Sequence, residues 1–556
     1  MKIVELKNLL IFTAATLLAA CGGESDLEIA QRTGAPLLDG MGPYHRPITT
    51  SDEHAQRYFD QGMVMAFGFN HAESARAFRA AQTLDPRCAM CFWGEAMALG
   101  PNINVTANGK AIMAPEDQVG AYAALSRAQE LLEYATQTEA AMIAALATRY
   151  SAEPVEDRDA FDLAYANAMG ELHERFPDDD DIAAMYAESW MNTMPWDYWS
   201  DGDTPRPETV PVIAALERIL ARNNQHALAL HLYIHAVEAS SNPGRAEAAA
   251  DTLADLVPGS GHLVHMPSHI YWRIGRYADA SAANVRAAQA DEDYIAQCNA
   301  QGLYPALYYP HNIHFLWAAS SMEGRSAVAI DAARKVAANV RLEQIEQFPS
   351  VEFFRTIPLL ALTQFGRWDE VLAEPAPPAE LDYSNAIWRY ARGTAYARSG
   401  DVEAAAAELT ALRAYHSSVQ AEFLDTLAYP ATTLLSIADA LLAGEIAQAD
   451  DNASVAIASF AFAVSLQDKL PYMEPPFWYY PTRQSLGAAL LQAGRFGEAE
   501  SVYRRDLVDY PRNGWSYYGL ARSLEGLGRD EEAAEARATF EQIWSQADVM
   551  LTASRI

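Results

Sequence analysis

Residues 226–275 read HALALHLYIHAVEASSNPGRAEAAADTLADLVPGSGHLVHMPSHIYWRIG. Two H-x-x-x-H pairs stand in this stretch, His231 with His235 and His265 with His269, and the second follows the first by 34 residues at both positions. Four-residue spacing puts both rings of a pair on one face of a helix. A 34-residue recurrence is the length of one helix-turn-helix unit in a stacked array. The same side-chain pair is then repeated on equivalent helices, and four imidazoles meet across one helix-to-helix step.

The period extends through the chain. With Gly494 as position 15 of a unit, Leu486, Gly487 and Leu490 fall at 7, 8 and 11, Ala499 at 20, Tyr503 at 24 and Pro511 at 32. One period later Leu520, Ala521, Leu524, Gly528 and Ala533 take the matching places. Gly366 and Gly400 are also 34 apart, and Pro86 at position 32 puts Gly62 at 8 and Phe78 at 24. Small residues thus recur where two helices must approach closely. This pattern resembles the tetratricopeptide repeat (TPR) family. The Cys88-Ala89-Met90-Cys91-Phe92-Trp93-Gly94 and His265-Met266-Pro267-Ser268-His269-Ile270-Tyr271 segments are similar to those of bacterial TPR proteins of comparable length. The resemblance implies an all-α solenoid wound as a right-handed superhelix, interrupted by aromatic-rich insertions, and it implies no particular chemistry.

The expected layout is a leader over 1–20, a flexible tether over 21–50 and an N-terminal array over 51–190. A Trp- and Pro-rich insertion over 191–210 follows. A His-rich central segment over 211–340 carries a second insertion at 291–310, and a C-terminal array runs over 341–545. Lys2 and Lys7 before the apolar run Leu9–Ala20 read as a secretory leader. Its end, Leu18-Ala19-Ala20-Cys21-Gly22, resembles a bacterial lipobox. That resemblance implies lipid on Cys21 and an outer-membrane anchor facing the periplasm, with no other contact with the bilayer. Gly, Pro and polar residues without periodicity give the tether. In an oxidising compartment Cys88 and Cys91 can pair locally, which leaves Cys298 as an odd thiol.

Set by Gly275, Gly324 and Pro258, the repeat frame puts His231 and His235 at positions 5 and 9 with Glu238 at 12. It puts His262, His265 and His269 at 2, 5 and 9 of the next unit, and His311 and His314 at 2 and 5 of the one after. Positions 2, 5, 9 and 12 share a stripe that lines the concave groove in TPR proteins. Seven of the chain's 13 histidines fall on it. Side chains four apart on a helix are neighbours, and packed helices lie within reach of both sides. Neutral imidazole suits Zn, Cu, Fe or Ni, so these seven are candidate ligands of a transition metal, Zn, Cu or Fe. Glu238 could serve as hard ligand, orienting partner or general base, the last giving it a catalytic role. A polar ladder along an open groove is the competing reading. It would make the chain a scaffold for a peptide, an envelope protein or a glycan, without catalysis.

Pro267, at position 7, removes one backbone bond and should bend its helix or start a shorter one. Met63 and Met97, 34 apart, read as packing rather than copper ligands. Trp190, Trp196, Tyr198, Trp199, Tyr304, Tyr308 and Tyr309 could wall the groove. The segment Pro471–Pro481 reads as packing between repeats. A formal charge of −33 sets nucleic acid aside as a partner, because binding phosphates needs clustered Lys and Arg.

Overall fold

The computed structural model describes residues 25–556 apart from Asn108, Asn299 and Gln301. Cys21, expected to carry lipid, and the expected leader lie outside the described residues. The described chain is an all-α solenoid of TPR type, built from antiparallel helix pairs. Representative pairs are Glu53–Phe67 with His71–Leu84, Tyr309–Met322 with Ser326–Asn339, and Arg483–Gln492 with Phe496–Asp509. No described helix is long and apolar enough to cross a membrane.

The glycines at position 15 explain the turn inside each pair. Gly275, Gly324, Gly366, Gly400, Gly494 and Gly528 all have φ between 65° and 84°. That left-handed conformation ends the first helix, and a residue without Cβ adopts it at little cost. The small residues at position 8 also have a contact to explain them. A Cβ at Gly62 would lie 2.8 Å from the Phe78 ring, and one at Gly487 2.3 Å from the Tyr503 ring. In both pairs the aromatic side chain of the second helix fills the space that the glycine leaves.

Two expected irregular segments are ordered. Residues 191–210 contain the strands Trp199–Asp201 and Thr204–Pro205. Trp199 Nε1 there donates to the Ala236 carbonyl at 2.8 Å, which fixes the hairpin to the helix carrying His231 and His235. Residues 291–310 continue the helix Tyr277–Cys298 and then enter a π-helical turn, Tyr304–Tyr308. Buried Asp291 accepts from the Tyr304 hydroxyl at 2.8 Å and from Asn312 Nδ2 at 2.7 Å, so this excursion is pinned at both ends.

The tether expected over 21–50 is corrected from Ser25 onward. The helix Asp26–Thr33 buries Ile29 completely, and Gly259 N donates to the Gly40 carbonyl at 2.9 Å. Polar composition concealed a few apolar anchors and a run of backbone contacts. Past residue 545 the chain stays packed: Asp548 caps the helix Ser326–Asn339 through the amides of Ser326 and Ala327, and Arg555 is buried against the Gln364 carbonyl. Residues 26–50 and the stretch after residue 545 thus both pack against the folded repeats.

Replacing Gly94, whose added Cβ would lie 2.3 Å from Phe78, tests the close approach directly. Gly94→Leu should lower the unfolding free energy by about 1–3 kcal/mol or more, as overpacked cores do. Denaturant titration checks this, and a variant as stable as the parent would contradict it.

Candidate metal centre

Four helical segments bring the histidines together. The helix Ala227–Glu238 carries His231, His235 and Glu238. The segments Gly261–His265 and Pro267–Ile274 carry His262, His265 and His269. Met266 keeps helical angles between these two segments, so Pro267 interrupts the bonding without breaking the path. His311 stands on the helix Tyr309–Met322.

The result is two sets of three imidazoles, with a third group, Glu238, His269 and Glu474, that shares His269. Ring nitrogens of His231, His235 and His262 lie within 4.8 Å of one another, as do those of His265, His269 and His311. The sets adjoin, with ring centroids 5.8 Å apart for His262 and His265 and 5.7 Å for His235 and His269. Five of the six rings are at most 3 % exposed, and His311 is half-buried. His314 joins neither set. It packs against Trp317, Phe353 and Phe354, with ring centroids 5.1–5.4 Å away.

Hydrogen bonding settles which nitrogens face inward. His231 Nδ1 lies 2.6 Å from the Phe67 carbonyl, which can only accept, so Nδ1 carries the proton. His235 Nδ1 and His269 Nδ1 donate to the two oxygens of Glu238 at 2.7 and 2.6 Å. His265 Nδ1 donates to Asn284 Oδ1 at 2.7 Å, because Asn284 Nδ2 is committed to Ser268 Oγ and the Ala280 carbonyl. With Nδ1 as the donor a neutral ring keeps its lone pair on Nε2, and the Nε2 atoms of these four rings face the space between the helices. His231 Nε2, His235 Nε2 and both nitrogens of His262 are buried without a hydrogen-bond partner. His265 Nε2 stands 2.9 Å from His269 Nε2 and 3.1 Å from His311 Nε2. This first contact is a hydrogen bond where His269 carries a proton on Nε2 as well as on Nδ1, and sets two lone pairs against each other where it does not. Each unpaired buried group costs about 1–3 kcal/mol, and a bound cation would offset that cost.

Burial favours the neutral form of five of the six rings. Burial, reinforced by the neighbouring imidazoles, holds His231, His262, His265 and His311 well below the usual histidine range. Burial also lowers His235, against the pull of Glu238. Burial alone would raise Glu238, but His269 and the hydrogen bonds from His235 and His269 keep it a carboxylate. Glu238 thus links the two sets, Oε1 accepting from His235 Nδ1 and Oε2 from His269 Nδ1 and the Tyr472 hydroxyl.

Sequence reasoning missed two residues from far along the chain. Tyr472 Oη lies 3.0 Å from Glu238 Oε2 and 2.6 Å from Glu474 Oε1, while Glu474 Oε2 is 3.6 Å from His269 Nδ1. Burial, and then the Glu238 charge, push the Glu474 carboxyl well above its ordinary range. The segment Pro471–Pro481 therefore covers the centre besides packing between repeats. Asn284 was legible in principle: it is polar at position 24, where Phe78 and Tyr503 stand in other units.

The walls are aromatic. Phe69 lies 4.6 Å from His231, Trp196 5.1 Å from His235, Tyr308 4.8 Å from His262 and Phe315 5.1 Å from His265. Two of the aromatic residues expected as a wall, Trp196 and Tyr308, are in it. The groove is closed at these repeats: the first helix pair and Pro471–Pro481 fill it, and the imidazoles are enclosed. Elsewhere Cys88 and Cys91 form a disulfide, Met63 is core, and burial pushes the free Cys298 thiol up to about 11.

No protein-family model matches the chain, and no curated protein matches it. Solved structures similar to it include the APC/C hetero-tetramer Cut9-Hcn1, at 13 % identity over 89 % of this chain and 76 % of that chain, with a TM-score of 0.30. The human IFIT1 dimer with m7Gppp-AAAA shows 9 % identity over 89 % and 91 %, TM-score 0.30. Yeast Tom70 shows 12 % over 90 % and 93 %, TM-score 0.27. At these scores the overlap carries no argument, and the architecture stands on the chain's own helix pairs.

Buried His314, held down to about 3 by desolvation, gives a prediction in pH. Between its unfolded value of 6.5 and about 3, the unfolded chain binds a proton that the folded chain does not. Its stability is therefore whole above pH 6.5 and lost as pH falls. At pH 5 the loss is about 2 kcal/mol, from roughly 1.4 kcal/mol per unit. Denaturant unfolding of His314→Leu should fall by about that much less than the parent between pH 7 and pH 5. Equal losses would contradict the assignment.

Proposed function

We propose that the central repeats hold a pair of transition-metal ions, one in each set of three imidazoles, and that this centre is the working part of the chain. The observation that carries the reading is the convergence of bare, buried ring nitrogens on two adjacent points. Supporting partners fix each orienting Nδ1–H: the Phe67 carbonyl, Glu238 and Asn284. Such fixing of the far nitrogen is how protein metal sites set tautomer and ring angle. Three protein nitrogens per ion leave coordination positions open, as in sites that carry out chemistry on a bound small molecule.

In this reading the leader carries the chain to the cell envelope, where lipid on Cys21 anchors it to the outer membrane and the disulfide suits the oxidising surroundings. The scaffold reading, with a peptide, an envelope protein or a glycan in the groove, calls for exposed polar side chains along an open concave face. Enclosed, unpaired imidazoles do not supply them.

Elemental analysis of the soluble chain beginning after Cys21 tests the proposal. The parent should hold about two equivalents of a first-row transition metal. His231→Ala and His265→Ala should each lose about one equivalent, and the double variant both, with helical circular dichroism retained. A parent that stays metal-free after loading with Zn, Cu, Fe and Ni would leave the scaffold reading standing instead.

A further inference from the structure

We infer that the chain has a second ligand site, apart from the histidines: a cavity that takes a small organic dianion. The cavity measures about 420 Å³, within the range of about 300–1,000 Å³ usual for small-molecule sites. It opens where the helix Ser326–Asn339, the irregular segment 340–356 and the Pro-rich link 374–378 meet. None of its lining residues belongs to the candidate metal centre.

Charge selects the class of ligand. Arg334, Arg341 and Arg355 line the cavity against a single carboxylate, Glu374, which leaves a net formal charge of +2 in the lining. Arg334 already holds that carboxylate at 2.7 Å. Arg341 and Arg355 form no ion pair among the described residues. Buried Glu352 stands behind the wall, where the Arg355 charge reaches it. Its Oε1 is spent on the amide and hydroxyl of Ser384 at 2.9 and 2.8 Å, and its Oε2 is sealed in without a hydrogen-bond partner. With 73 acidic against 40 basic side chains, an accessible arginine of this chain ordinarily meets a carboxylate, as Arg46, Arg57 and Arg276 do. Two that line one cavity without such a partner keep their charge for a ligand.

Shape and polarity narrow it further. Arg355 is half-buried and anchored: Nη1 donates to the Val340 carbonyl at 2.7 Å, which leaves Nε and Nη2 without a protein partner. A guanidinium offers an oxyanion paired, parallel N–H donors. The rest of the wall is largely apolar, with Ala337, Leu359, Pro375 and Pro378. A bare inorganic ion leaves that wall uncovered, and a neutral molecule leaves the arginines unmet. An anion on a short carbon body satisfies both, and dicarboxylates and phosphate monoesters share that chemistry.

Isothermal titration calorimetry on the purified, metal-free chain tests the site with glutarate, phenyl phosphate and neutral glutaramide as probes. About one equivalent of a dianion should bind with a Kd below about 1 mM, and glutaramide should give no heat. Binding of glutarate alone assigns a dicarboxylate and of phenyl phosphate alone a phosphate monoester, and either upholds the site. Arg341→Gln and Arg355→Gln should each weaken binding about tenfold or more, as loss of a charge-assisted hydrogen bond does. Ala338→Trp, in the cavity wall, should abolish it, and Arg504→Gln, outside the cavity, should leave it unchanged. Arg355 also holds Val340, so if its variant loses helical circular dichroism the Arg341 and Ala338 variants decide. No heat from either dianion, equal binding of glutaramide, or dianion binding indifferent to Arg341→Gln and Ala338→Trp would overturn the inference.

Discussion

The carboxylate of Glu238 accepts one imidazole N–H from each set, His235 at 2.7 Å and His269 at 2.6 Å, and the geometry of the whole centre depends on it. A buried carboxylate is costly by itself and tolerable only when its oxygens are met by good donors. Glu238 is fully buried and meets His235, His269 and Tyr472. The rings in turn are held with Nδ1 toward Glu238 and Nε2 toward the space between the helices. One ion thereby sets two tautomers on two repeats, and Phe67 and Asn284 set two more.

Closure of the array makes that arrangement a dry one. A TPR-type stack is ordinarily open along its inner face, since each unit contacts only its neighbours. Here Phe67 reaches His231 across 164 residues and Tyr472 reaches Glu238 across 234. The tail adds Trp515 Nε1 on the Ser321 carbonyl at 3.0 Å. In the low dielectric so created, electrostatic interactions strengthen and unpaired polar atoms become expensive. Enclosure thus raises the cost of the unpaired ring nitrogens and restricts what can approach them.

What was legible in the chain follows from locality. The 34-residue period fixed the helix pairs, and the position-15 glycines marked their turns because a left-handed residue is a local requirement. The same frame placed His231, His235, His262, His265, His269 and His311 on one stripe, and the folded chain brings all six together. His314 shows the limit of the argument. It shares that stripe, yet Phe353 and Phe354, from the non-repeating Pro349–Thr356 turn, occupy the inner face beside it. Tyr472 and Glu474 were illegible for the same reason, since periodicity says which residues face inward and nothing about which distant segment will meet them.

Anomalous diffraction from crystals of the metal-loaded chain measures the central claim most directly. The account predicts two peaks, one in each set, bonded through Nε2 of His231, His235, His265 and His269 at about 2.0–2.1 Å, a typical metal–imidazole distance. Glu238 should remain on the Nδ1 side of His235 and His269. A map with ions on Nδ1, with Glu238 as a ligand, or with metal only at the surface would contradict it.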